Sequence, residues 1–226
     1  NRQALHFRQL FATATQAWLD GKNTELTHAG NGFVSLPDGA MSTRHGRVIF
    51  LKDLIGESFE RVKNILIERE RNLSDSDTKA VALGAIVYSF LSQDRERDWI
   101  FEWDKVLAFE GNSGPYLQYA HARARSILAK TDTMASTVAD LDQGERDLVV
   151  KLSEYIDVVA KATEELLPHL VCTYLYELAQ AFNRFYEKNR VIGDAREAER
   201  LYLVQQHADV LSNGLGLLGI NAPEKM

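Results

Sequence analysis

The chain has one cysteine, Cys172, in 226 residues. A single thiol excludes an internal disulfide and a cysteine-built zinc site, and it fits a reducing cytoplasm. No apolar run approaches the ~20 residues that cross a bilayer, so no membrane partner is expected. The start carries no basic region followed by an apolar stretch, so no secretory leader is read there. It also lacks an initiating methionine and a capping lead-in. Asn1-Arg2-Gln3-Ala4-Leu5-His6-Phe7 is already helical in pattern, and the chain is therefore expected to be the C-terminal part of a longer protein. No internal repeat or low-complexity segment is visible. Positive charge is in short supply: 26 Lys and Arg face 32 Asp and Glu, a net −6. That balance argues weakly against a general nucleic-acid binder, but a local basic patch would suffice for RNA.

What is present is an ordinary globular composition, 45% hydrophobic and 26% charged, long enough for one or two domains with real cores. The pattern predicts a helix over 3–19, a turn at Asp20-Gly21-Lys22-Asn23, and a strand at Phe33-Val34-Ser35-Leu36. A turn at Pro37-Asp38-Gly39 follows, then a second strand-like run, Val48-Ile49-Phe50-Leu51. From about Leu54 onward the chain reads as almost wholly helical. Helices are expected near 56–73 and 77–92, the latter capped by Asp75 or Ser76. Trp99, Phe101, Trp103, Leu107 and Phe109 mark a dense packing segment. Further helices are expected at Pro115–Lys130, at about 145–166 with a stripe of Leu148, Leu152, Tyr155, Ile156, Val159 and Ala162, and after Pro168. The inward side of the Pro168 helix would be Leu170, Tyr174, Leu175, Leu178, Phe182 and Phe185. Asp194 is read as the cap of a last helix ending near Gly214–Gly219. The fold class is thus mainly α. Residues 1–108 read as the end of a mixed α/β domain with connecting helices, and 109–226 as an all-α bundle.

The most informative stretch is Gly111–Ile127, GNSGPYLQYAHARARSI. A Gly-Asn-Ser-Gly-Pro turn opens into a helix with Tyr116, Tyr119 and Arg123 at spacings of three and four, which places them on one face. Two rings beside a guanidinium can stack unpaired bases and hold a phosphate. The plainer alternative is a helix whose tyrosines are core. Arg123, Arg125 and Lys130 form a short basic stripe with no acid among them, or simply a solvated face.

This stretch closely resembles the signature where the catalytic domain of arginyl-tRNA synthetases passes into the anticodon-binding domain. There the helix meets the anticodon loop, which implies that role for Tyr116, Tyr119 and Arg123. Met41-Ser42-Thr43-Arg44-His45-Gly46 resembles the second signature loop of class I aminoacyl-tRNA synthetases, which closes over the ATP triphosphate as pyrophosphate departs. Such a loop needs mobile backbone, short hydroxyls and a cation. Gly39 and Gly46, Ser42 and Thr43, and Arg44 supply them, the last through a charge-assisted contact worth about 1.5–3 kcal/mol. The sequence departs from the pattern at His45, where the family usually has Lys. A neutral His donates one hydrogen bond and carries no charge above its pKa, so either Arg44 dominates or a cation elsewhere substitutes.

Leu26–Val34 is similar to the family region bordering adenine, which makes His28 and Phe33 nucleotide-lining candidates. A satisfied loop histidine and a core phenylalanine are the alternative. Arg2–Phe7 resembles the segment bordering the amino-acid pocket, with Gln3 at the position that helps hold arginine. Leu170–Ala179 with Phe182, Asn183, Phe185 and Tyr186 resembles the core helix of the final domain. Gly214–Ile220 and Ala222–Met226 resemble its end, where a terminal methionine lies against the anticodon loop, so Met226 is a candidate contact. Gln206-His207-Ala208 departs from the family, and no RNA contact is carried over to it. The first class I signature, a His-x-Gly-His loop, does not occur.

The resemblance implies the end of a Rossmann-type class I catalytic domain followed by a DALR-type helical anticodon-binding domain. It further implies ATP with Mg²⁺, L-arginine and tRNA-Arg as partners, arginine–tRNA ligation by the intact cytoplasmic protein, and no activation of arginine by the 226 residues alone. The alternatives are a non-catalytic tRNA- or RNA-binding helical module and a helical protein-interaction bundle with buried tyrosines.

Overall fold

Ser74, Ser113 and Asp142 stand where the chain turns into helices. Their side chains accept amide protons from Asp77, Tyr116 and Glu145, satisfying donors that have no partner inside the helix. At Asp142 the reciprocal bond from its own amide to Glu145 completes a capping box. The computed structural model describes residues 3–19, 24–37, 39–40, 50–134, 136 and 139–226, with the side chains of 18, 19, 39 and 40 excepted. The expected turn at Asp20–Asn23, Asp38, the Met41–Gly46 loop and the Val48-Ile49 part of the second strand lie outside these residues.

Among the described residues the elements run α1 (Ala4–Ala14), continued by a wider π-helical turn at Thr15–Leu19, then β1 (Val34–Leu36), β2 (Gly39–Ala40), α2 (Leu51–Glu68) and α3 (Asp75–Leu91). β3 (Trp99–Ile100), α4 (Trp103–Val106) and α5 (Gly114–Leu128) follow. The chain continues through α6 (Gln143–Ser153), α7 (Tyr155–Glu165), α8 (His169–Lys188) and α9 (Glu197–Leu217). The sheet has the order β2-β1-β3. β1 pairs antiparallel with β2, Ser35 facing Ala40, and parallel with β3, Val34 facing Trp99.

Four expectations need correction. The last helix is not capped by Asp194: α9 opens at Glu197 with Arg196 at the cap position and no side-chain cap bond. Leu51 is not in a strand: it opens α2, with Asp53 in the first turn where the helix dipole favours a carboxylate. The ladder of β1 is filled instead by β2, immediately after the turn, and by β3. The single helix expected over 145–166 is two, broken at Glu154. Near the break Ser153 bonds the Val150 carbonyl through its hydroxyl, a local bond that competes with the helical ladder. Beyond the break Ile156 falls outside the buried stripe, 77% exposed. The cap of α3 is Ser74, one residue before the expected pair.

Two apolar cores result. The first gathers Val62 and Leu66 of α2, Val81, Ala82, Ala85 and Ile86 of α3, and Phe101, Val106, Leu107 and Phe109, with Met226 packed against it. The second joins α5, α8 and α9 around Leu117, Leu175, Leu178, Phe182, Phe185, Val204, Leu211 and Leu215. α3 serves both, because Tyr88 near its end belongs to the second. The Tyr88 hydroxyl reaches the Cys172 carbonyl at 3.0 Å and the Asn112 side chain at 2.5 Å. This ties the Gly-Asn-Ser-Gly turn to α8. Cys172 is fully buried, and burial pushes its thiol up to about 12, so it is inert packing.

Candidate nucleic-acid interface

α5 begins with a turn that only special residues allow. Gly111 has φ +76°, a conformation that costs glycine nothing and other residues strain. Ser113 then donates its hydroxyl to the Ala108 carbonyl while accepting from the Tyr116 amide at 3.3 Å. The helix leaves this turn with Tyr116, Tyr119 and Arg123 facing one open cleft of about 530 Å³.

Asn183 of α8 sets two of the three. Its Nδ2 donates to the Tyr116 hydroxyl at 3.0 Å, and its Oδ1 accepts from Arg123 Nη1 at 3.2 Å. Both ends of one amide are used, so neither side chain turns freely. Tyr116 is half-buried with its ring edge-on to Tyr176, centroids 5.6 Å apart. Burial pushes its phenol above the ordinary value, with Tyr176 adding to the rise and the Asn183 bond opposing it. The Arg123 guanidinium lies 4.8 Å over Tyr186. Among the described residues Tyr119 has no such holder, and it is 36% exposed.

The opposite wall comes from the end of α2 and the segment before α5: Leu66, Arg69, Arg71, Phe109 and Glu110, with Met226 closing one side. Arg69 sits 5.0 Å from the Phe109 ring centroid. Three arginines, Arg69, Arg71 and Arg123, thus line the cleft with one acidic side chain, Glu110. Aromatic faces in a net-positive cleft suit unstacked bases with their phosphates.

The sequence reading missed Arg69, Arg71, Phe109 and Glu110. The helix expected at 56–73 hid Arg69 and Arg71, which follow the true end at Glu68 and stand around Glu70 at φ 54°. The basic stripe is also corrected. Arg125 is ion-paired with Glu224 at 2.6 Å, and of Arg123, Arg125 and Lys130 only Arg123 lines the cleft. Of Gln206-His207-Ala208, His207 and Ala208 are completely buried and Gln206 is partly exposed.

The remaining candidates lie apart from the cleft. Gln3 is exposed at the start of α1. His28 stacks on Phe7, centroids 4.1 Å apart and planes 15° from parallel, with its Nε2 buried and without a hydrogen-bond partner. Phe33 is half exposed, and its amide donates to Asp98 at 2.6 Å. Met41, Ser42, Thr43, Arg44 and His45 lie outside the described residues. Among those residues no group of His, Cys, Asp and Glu could hold a metal ion, and no helix is long and apolar enough to cross a membrane.

Residues 1–103 match the family model described as the catalytic domain of class I tRNA synthetases (R), and 117–226 match the DALR anticodon binding domain. An arginine–tRNA ligase of Clostridium botulinum (strain Alaska E43 / Type E3) is 37% identical over 99% of the chain and 41% of its own length. One of Haemophilus ducreyi is 37% identical over 100% of the chain and 42% of its own length. The chain thus spans about two fifths of the curated relatives it matches. Among solved structures, the Thermus thermophilus arginyl-tRNA synthetase aligns with TM-score 0.79 and 32% identity over 86% of the chain and 34% of its own. The arginyl-tRNA synthetase of Plasmodium falciparum aligns with TM-score 0.82 and 28% identity over 99% of the chain and 40% of its own.

Proposed function

Because the chain belongs to the arginyl-tRNA synthetase family, we propose that the α5 cleft holds the anticodon loop of tRNA-Arg and that the whole protein joins L-arginine to that tRNA with ATP. Residues 109–226 are the anticodon-binding part, and 1–108 belong to the catalytic domain. The observation that carries this is the convergence of Tyr116, Tyr119, Arg123 and Met226 on one net-positive cleft. Arginine codons share a middle guanine, so the middle anticodon base is cytosine. Tyr119 is the free stacking platform, Tyr116 and Arg123 are held rigid by Asn183, and Arg69 and Arg71 face the backbone phosphates.

In the catalytic part, Met41, Ser42, Thr43, Arg44 and His45 close over the ATP triphosphate, and His28 and Phe33 border its adenine. The unpartnered His28 Nε2 favours that assignment, since a buried polar atom is costly unless something pairs with it. Gln3 faces the arginine substrate. Magnesium is assigned to the nucleotide as its counter-ion, and the setting is the cytoplasm. The chemistry needs no covalent nucleophile: it is positioning and stabilisation of charge on the departing pyrophosphate.

Tyr119→Ala is expected to weaken binding of a tRNA-Arg anticodon stem-loop by about 1–3 kcal/mol, roughly 5- to 150-fold, at unchanged thermal stability. Native affinity in a natively stable variant rejects the stacking role. Arg69→Ala and Arg71→Ala should each lower the slope of log affinity against log salt by about 1. A wild-type slope in both would remove them from the phosphate path.

A further inference from the structure

We infer that Gln118, His121 and Arg125 are positioning residues for the RNA site: they clamp the segment Asn221–Glu224 along α5 so that Met226 stands in the cleft. The inference rests on the proposed reading of that cleft. These three side chains recur at spacings of three and four on α5, as the cleft residues do, but along a separate line.

Each holds one point of the segment. The Gln118 Nε2 donates to the Asn221 carbonyl at 2.7 Å and to Ala80 of α3 at 3.2 Å, and this amide side chain is completely buried. His121, also buried, lies with Nδ1 2.9 Å from the Pro223 carbonyl. A carbonyl only accepts, so Nδ1 carries the proton and the ring donates. Arg125 Nε donates to Glu224 Oε2 at 2.6 Å. Ile220 and Pro223 are buried beneath the same path. Met226 then packs against the first core and lines the cleft. Four residues whose backbone would otherwise sample many conformations are thereby fixed before RNA arrives, which removes an ordering cost from binding.

The bonds made by the two buried side chains, Gln118 and His121, carry more of the clamp than the Arg125–Glu224 pair, whose side chains are 34% and 63% exposed. The pair nevertheless decides what Arg125 is for. An arginine that neutralises a phosphate contributes to the salt slope of binding; one held by Glu224 to fix a strap does not.

The test uses the full chain and an anticodon stem-loop RNA with a central cytosine. His121→Phe and Met226→Ala are each expected to weaken binding about tenfold, the scale of one buried apolar contact. Combined, they should be no weaker than either alone, because both remove one seated methionine. Arg125→Ala should leave the salt slope unchanged, and the exchange Arg125→Glu with Glu224→Arg should bind better than either single change. Additive losses, a native affinity in His121→Phe beside a weakened Met226→Ala, or a slope lowered by Arg125→Ala would each overturn the clamp while leaving the cleft reading intact. Should His121→Phe lose its thermal transition, the charge exchange decides: failure to recover affinity overturns the proposal. Native affinity in both Tyr119→Ala and Met226→Ala would bring down cleft and clamp together.

Discussion

Taking the protein from pH 7 to pH 4 is expected to cost about 3 kcal/mol of unfolding free energy through His207 alone. This side chain is completely buried in α9, its ring parallel to Phe182 at 3.9 Å, with neither nitrogen hydrogen-bonded. Burial, and then the neighbouring His121, push it down to about 3. His121 is itself lowered, chiefly by burial. A histidine lowered on folding gives up its proton to fold. Its contribution is therefore whole above an unfolded value near 6.5 and is lost as pH falls toward 3. Glu197, held low by Thr131, Gly193 and Thr133, loses stability in the same direction. The comparison with His207→Phe isolates the histidine. Urea unfolding at both pH values should show the variant losing markedly less than the wild type. Equal losses in the two proteins would show that His207 does not resist protonation in the fold.

Gly114→Ala should destabilise by about 1–3 kcal/mol. A methyl group there would lie 2.6 Å from the Gly84 carbonyl oxygen, and backbone cannot swing aside. The crossing of α3 and α5 would have to open, moving the helix that carries Tyr116, Tyr119 and Arg123. RNA affinity should fall with stability. Gly84→Ala strikes the same crossing from the other side, against the Gln118 side chain at 2.7 Å, and so disturbs the residue that holds Asn221. Gly56 in α2 is the control: nothing lies within 4 Å of its added methyl, and Gly56→Ala should be stabilising by about 0.4–1 kcal/mol through the unfolded chain. Chemical denaturation of the three variants checks the order, and a Gly114→Ala protein as stable as Gly56→Ala would refute the close-approach argument.

Much of the fold was legible because its causes are local. The apolar periods of α5 and α8, the proline before His169 and Gly219 after α9 mark helices through interactions within one or two turns. The failures were of two physical kinds. Leu51 lies in a run of β-favouring residues, yet strand formation needs a partner, and β1 already has two. The helix breaks at Glu154 in a stretch whose apolar period continues unbroken, where the Ser153 hydroxyl bonds the Val150 carbonyl and competes with the helical ladder. At the cleft, spacing alone put Tyr116, Tyr119 and Arg123 on one face. It could not say that Asn183 would lock two of them or that Arg125 would turn to Glu224.

By itself the sequence determined where most of the helices lie and the direction in which each side chain leaves its own axis, since those follow from backbone geometry and near neighbours. Only the tertiary structure decided that Arg69, Phe109, Asn183 and Met226 meet around α5, that Arg125 is spent on a residue 99 positions away, and that His207 is sealed from water. A helical period gives a face but not what packs against it. That choice is made by the joint burial of distant segments, which no local pattern encodes.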